Sequence, residues 1–101
     1  MIKLMKEIDD WQLKTFGNAT VERLWWRFLE EYVEFRDATK GEVFPEEEKE
    51  EIVDCFIVFT GIVAQVFNGD FEDFETAVKD KMKINKNRKW KVDGEGCGYH
   101  E

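Results

Sequence analysis

Apolar residues recur along this chain at the three- and four-residue intervals of amphipathic helices, and strand-type alternation is scarce. The pattern predicts four helices. The first runs from about Ile2 to Phe16, places Ile8, Trp11 and Thr15 near one face, and is closed by Gly17-Asn18. Thr20 is the expected N-cap of a second helix reaching about Ala38, with an apolar stripe of Val21, Leu24, Trp25, Phe28, Tyr32 and Phe35 and a stop at Lys40-Gly41. The third begins at Pro45, carries Glu46, Glu47 and Glu48 at its positive end, and continues to about Phe67 before Asn68-Gly69. Asp70 caps a fourth, which extends to about Trp90 with Phe71, Phe74, Val78 and Met82 inward. The glycine-rich stretch 93–101 reads as loop.

The second half of the third helix, from Cys55 to Phe67, is apolar almost all round, the pattern of a helix covered on every side. A domain of 101 residues has difficulty covering a helix so completely. The expectation is therefore an all-α, four-helix bundle spanning residues 1–101 as one domain and completed by oligomerisation.

Composition narrows the partners. A net charge of −8 argues against a nucleic-acid polymer, whose phosphates call for a basic surface. Cys55 and Cys97 lie in unlike contexts and form neither a disulfide framework nor a thiolate metal site, so the reading is cytoplasmic. The longest apolar run is broken by Thr60, Gly61 and Gln65 and is too short to span a bilayer, and no signal-peptide pattern is present.

The chemistry concentrates in two acid pairs, Glu31 with Glu34 and Glu51 with Asp54, each at i, i+3 and so on one helix face. Such a pair is ordinarily solvated surface. Here the flanking residues are apolar: Leu29, Tyr32, Val33 and Phe35 beside the first pair, Ile52, Val53, Cys55 and Phe56 beside the second. Acids embedded in that context are expected to face inward together. Four converging carboxylates repel, and a hard divalent cation such as Mg²⁺ relieves the repulsion while keeping sites open for water and substrate phosphates. Glu30, a third acid beside the first pair, either supports the site or is simply exposed. On the fourth helix, Lys81, Asn85 and Arg88 fall at i, i+4 and i+7, a stripe suited to holding a polyphosphate. The alternative for that stripe is a basic last turn that complements the helix dipole. There is no phosphate-binding glycine loop, and His100 is the only histidine, which excludes histidine-aspartate phosphohydrolase and Glu-x-x-His di-iron sites.

At these residues the chain resembles the MazG-like, all-α nucleoside triphosphate pyrophosphohydrolases, whose signature is Glu-x-x-Glu, a spacer, then Glu-x-x-Asp. It stands here as EEYVE (Glu31, Glu34) and EEIVD (Glu51, Asp54); WQLKTFG near the start and KMKINKNRKW near the end resemble the phage and prophage dATP/dGTP branch. The resemblance implies Mg²⁺- or Mn²⁺-dependent cleavage of the α–β phosphate bond of a nucleoside triphosphate, with a purine deoxynucleotide favoured, and assembly as a homodimer or homotetramer. It implies that Glu31, Glu34, Glu51 and Asp54 are metal ligands, that Lys81, Asn85 and Arg88 touch phosphates, and that Trp11 and Gln12, with Glu30 nearby, line the nucleotide pocket. The tail GEGCGYHE departs from many family members. A competing expectation from another class is a non-catalytic helical interaction module, with the third helix mediating assembly and the acids decorating its surface.

Overall fold

A computed structural model describes residues 1–38 and 45–100. It contains helices α1 (Ile2–Phe16), α2 (Val21–Ala38), α3 (Pro45–Val66) and α4 (Phe71–Asn87), followed by short strands β1 (Trp90–Val92) and β2 (Gly98–His100). The all-α class is observed, with a small hairpin added. The expected stop of the second helix at Lys40-Gly41 lies outside the described residues.

Local chemistry explains the helix ends. Thr20 Oγ1 accepts the Arg23 N–H at 3.1 Å, so the expected N-cap of α2 is formed. Proline stands at the first position of α3, where its missing N–H leaves no intrahelical bond unmade, and three glutamates follow in the positive first turn. Asn68 (φ 53°) and Gly69 (φ 78°) then carry the chain through two consecutive left-handed residues, and the Gly69 N–H reaches back to the Ala64 carbonyl at 2.8 Å.

The chain divides into two compact units, residues 1–71 and 72–101. In the first, α3 packs against both α1 and α2. Partners on α2 and α3 run in opposite directions: Leu24 lies against Gly61, and Phe28 against Phe59 with ring centroids 6.2 Å apart. The two helices are therefore antiparallel. The core is Met5 of α1, Val58, Thr60, Ile62, Val63 and Ala64 of α3, and Phe71. Thr60 is wholly buried and satisfies its hydroxyl by donating to the Phe56 carbonyl at 2.9 Å. The other faces of this stretch are largely half-buried, and Val66 is exposed. Each fully buried aliphatic or aromatic side chain stabilises by roughly 1.5–3 kcal/mol, so this core is a thin one.

Two expected faces are displaced. On α1 the inward residues are Met5, Ile8 and Gln12, while Trp11 and Thr15 are exposed. Gln12 belongs to the packed face because its side-chain amide donates to the Ile57 carbonyl of α3 at 3.3 Å. On α2 the covered stripe is Val21, Leu24, Phe28, Glu31 and Phe35, at i, i+3, i+7, i+10 and i+14; Trp25 and Tyr32 stand outside it. A glutamate thus occupies a position that the helical period reserves for core.

In the second unit α4 ends at Asn87, three residues before the expected end at Trp90. Instead of continuing the helix, Arg88 N–H bonds the Asn85 carbonyl at 3.4 Å, and Trp90 Nε1–H donates to the same carbonyl at 2.7 Å. The stretch expected to be loop forms most of an antiparallel hairpin, pairing Trp90 with His100, Lys91 with Tyr99 and Val92 with Gly98. Asp93 makes the turn: its Oδ1 accepts the N–H groups of Glu95 (2.7 Å) and Cys97 (3.1 Å). Gly94 and Gly96 supply the left-handed backbone that the turn requires. Val78 and Met82, expected inward, are nearly half-exposed, whereas Phe71 is buried and Phe74 half-buried.

Candidate metal centre and adjoining cleft

Because Glu31 lies on the covered stripe of α2, its carboxylate is carried inward; the residue is only 5% exposed. Glu51 and Asp54 come from the charged half of α3, which runs antiparallel beside it. One carboxylate oxygen from each of Glu31, Glu51 and Asp54 lies within 4.8 Å of the others. Glu51 is half-buried and Asp54 exposed, so the group is closed on the helix-helix side and open on the other. Glu31 Oε2 and Glu51 Oε2 are shielded from solvent and have no hydrogen-bond partner. Buried carboxylate oxygens without a donor are costly. An oxygen-seeking cation would satisfy them, so the donor set fits Mg²⁺ or Mn²⁺.

Glu34 is outside that trio of converging oxygens. It sits one turn beyond Glu31 on α2, is exposed, and remains within the same electrostatic field. The Glu31 charge and a hydrogen bond between the Glu31 and Glu34 carboxyls, with smaller pushes from burial and Glu51, hold the Glu34 carboxyl above the usual glutamate range. Glu51 is also raised, first by burial and then by Asp54 and Glu31. Cys55, half-buried beside them, has its thiol pushed up by burial and by Glu31, Glu51, Asp54 and Glu34. Three neighbours thus register one concentration of negative charge.

A cleft of about 500 Å³ opens from this cluster between α1 and α2, with α3 as its floor. Glu31 and Asp54 line one part of it; Trp11, Phe16, Leu24 and Ile57 supply apolar wall. That volume lies within the range of small-molecule sites. Trp11 stands edge-on to Phe16, with ring centroids 5.4 Å apart at 88°. Both Trp11 and Gln12, which the resemblance places at a nucleotide pocket, border this cleft.

Two cleft residues were missed in the sequence: Arg23 and Arg27. Arg27 Nη2 donates to Glu31 Oε1, and its Nη1 donates to Glu30 Oε2 at 3.0 Å. Burial works against the Arg27 charge, but the bonds and charges of Glu31 and Glu30 outweigh it and hold the guanidinium more firmly protonated. Arg23 Nη1 reaches Glu30 Oε1 at 3.5 Å. Glu30, left open by sequence, therefore bridges the two arginines and stays exposed. The available signal was the i, i+4 spacing of Arg23, Arg27 and Glu31.

Lys81, Asn85 and Arg88 belong to the second unit. Lys81 is exposed; Asn85 and Arg88 are half-buried and gathered around Trp90, with the Arg88 guanidinium 6.0 Å from the centroid of its ring. Asn85 Oδ1 is buried without a hydrogen-bond partner. No helix among the described residues is long and apolar enough to cross a membrane. Compared with protein-family models, curated proteins and solved structures, the chain matches none.

Proposed function

We propose that this chain is a divalent-cation-dependent nucleoside triphosphate pyrophosphohydrolase, cleaving the α–β bond to leave a monophosphate and pyrophosphate. One observation carries the reading: three carboxylates from two antiparallel helices converge, with two buried oxygens lacking donors, at the mouth of a nucleotide-sized cleft that also holds aromatic side chains. Glu31, Glu51 and Asp54 would hold the cation, with Glu34 at its edge. A bound Mg²⁺ or Mn²⁺ supplies Lewis-acid polarisation of phosphate oxygens and a water of lowered pKa. Glu34, exposed one turn beyond Glu31, would accept a proton from the attacking water. Trp11 would offer an aromatic face for the base, and the resemblance assigns Lys81, Asn85 and Arg88 to phosphate contacts. A purine deoxynucleotide is the favoured substrate.

The bundle is completed, in this reading, by a second copy of the chain. Trp26, Leu29 and Val33, at i, i+3 and i+7 on α2, form an exposed apolar stripe that such a copy would cover. The same stripe favours the second reading, a non-catalytic helical interaction module. The two part on chemistry. A panel of deoxy- and ribonucleoside triphosphates with Mg²⁺ and Mn²⁺, scored for pyrophosphate against orthophosphate, should give pyrophosphate and monophosphate. Orthophosphate as the sole product would refute the bond assignment. No turnover, together with a melting temperature indifferent to Mg²⁺, Mn²⁺ and EDTA, would favour the interaction module.

A further inference from the structure

Arg27 holds one oxygen of the very carboxylate whose other oxygen is buried and unpartnered. Its guanidinium spans Glu31 and Glu30, and it lines the cleft into which a phosphate chain would enter. Arg23, one turn earlier on α2, lines the same cleft and shares Glu30. These two are the only cationic side chains bordering that cleft among the described residues. We propose that Arg27 is an exchangeable counter-ion: it neutralises Glu31 while no divalent cation is bound, and turns to a substrate phosphate once one is. The inference rests on the hydrolase reading and adds to it a residue pair, Arg27 with Arg23, as the phosphate contact supplied by the acid-bearing unit itself.

The physical case has three parts. Glu31 is too deeply buried to remain charged and unpaired, so in the cation-free protein Arg27 is its neutralising partner. A divalent cation drawn by Glu31, Glu51 and Asp54 shares the Glu31 carboxylate with Arg27, takes over the neutralisation of its charge and repels the guanidinium. The displaced side chain has somewhere to go: it is already more than one-third exposed, and its second anchor, Glu30, is itself exposed and keeps it beside the cleft. A planar guanidinium matches phosphate geometry with two parallel N–H donors. Arg23 and Arg27 project from successive turns, about 6 Å apart along the helix, so together they track a phosphate chain rather than a single oxygen.

The exchange predicts opposite effects on two ligands, which a structural role for Arg27 does not. With the full chain, Mn²⁺ binding is measured by electron paramagnetic resonance, and inorganic tripolyphosphate binding by calorimetry at saturating Mn²⁺. Arg27→Gln should bind Mn²⁺ several-fold more tightly than the parent, because the competitor for Glu31 is gone. It should bind tripolyphosphate at least about tenfold more weakly, having lost a charge-assisted contact. Arg27→Lys, which keeps the charge but not the fork, should give the same opposed shifts in smaller size, and it serves alone if Arg27→Gln loses its helical circular dichroism. Affinities for both ligands falling together, or an unchanged tripolyphosphate affinity, would overturn the exchange while leaving the hydrolase reading standing. A parent chain that binds neither Mn²⁺ nor tripolyphosphate would overturn the hydrolase reading itself.

Discussion

The side-chain amide of Gln12 donates to the backbone carbonyl of Ile57, 45 residues away, at 3.3 Å. This bond fastens α1 to the floor of the cleft, and Gly61, one turn further along α3, helps make room for it. A methyl group at Gly61 would stand 3.6 Å from Gln12 Nε2 and from a Leu24 methyl, ordinary contact distances. Gly61→Ala should therefore fit, and it should raise stability by up to about 1 kcal/mol through helix propensity. Gly61→Leu has no such room and should destabilise by roughly 1–3 kcal/mol through overpacking. Urea unfolding followed by circular dichroism checks both, and a destabilised Gly61→Ala would contradict the packing described.

The converging carboxylates should oppose stability to function. Glu51→Gln removes one repelling charge from a cluster in which, without cation, only Arg27 at Glu31 offsets the negative charge. The EDTA-treated variant should melt above the EDTA-treated parent. Adding Mg²⁺ should then reverse the order, because a ligand at a hundred times its dissociation constant stabilises the parent by about 2.7 kcal/mol and the variant by much less. Turnover should fall by about a hundredfold or more, since even supporting residues at metal sites commonly cost 10–100-fold. Differential scanning fluorimetry with and without EDTA, alongside a pyrophosphate assay, decides the matter.

The raised carboxyls of Glu34 and Glu51 set a pH dependence whose sign is unusual for acidic groups. Both hold protons more tightly folded than unfolded, so the folded state binds more protons across this range. Their contribution to stability is complete below about 4.3, the ordinary glutamate value, and is lost as pH rises through the folded values. The cation-free protein should lose this contribution as pH rises, and the Glu34→Gln/Glu51→Gln double variant should show a flatter profile. Thermal melts in EDTA across the acid range test this; a parent and double variant with parallel profiles would contradict it.

The two thiols should react unequally. Cys97 is exposed on the hairpin turn, whereas Cys55 is half-buried among carboxylates that disfavour its thiolate. Iodoacetamide at mildly alkaline pH should label Cys97 well before Cys55, read by peptide mass spectrometry. Equal rates would mean that the acids do not surround Cys55 as described.

Much of the helical frame was legible in the sequence because caps and breakers are local. Thr20, Pro45 and Asn68-Gly69 set helix boundaries through chemistry confined to a few residues. Faces were harder. Trp11, Trp25 and Tyr32 are large and apolar and so read as core, yet the packed stripes run through Gln12 and Glu31, two polar residues whose inward placement depends on specific partners: the Ile57 carbonyl of α3 for Gln12 and the Arg27 guanidinium for Glu31. The hairpin was missed because its signal is the Asp93 turn with glycines on either side of Glu95; a glycine-rich stretch without long alternation reads as loop. The acid constellation was legible in part: Glu31, Glu51 and Asp54 converge, and Glu34 stays at the edge. Arg27 escaped notice because a basic residue four positions before an acid on a helix reads as surface pairing until the acid is found to be buried.

Since α3 is one continuous helix, its two halves are mechanically geared. The dry end, at Thr60, Ile62 and Val63, seats the rod; the charged end carries Glu51 and Asp54. Any repacking that rolls the seated end about its axis swings those carboxylates through the same angle. On the proposed reading, substitutions at the dry end would therefore tune cation affinity, and selection for a tighter or looser grip would have room to act there without altering Glu31, Glu51 or Asp54.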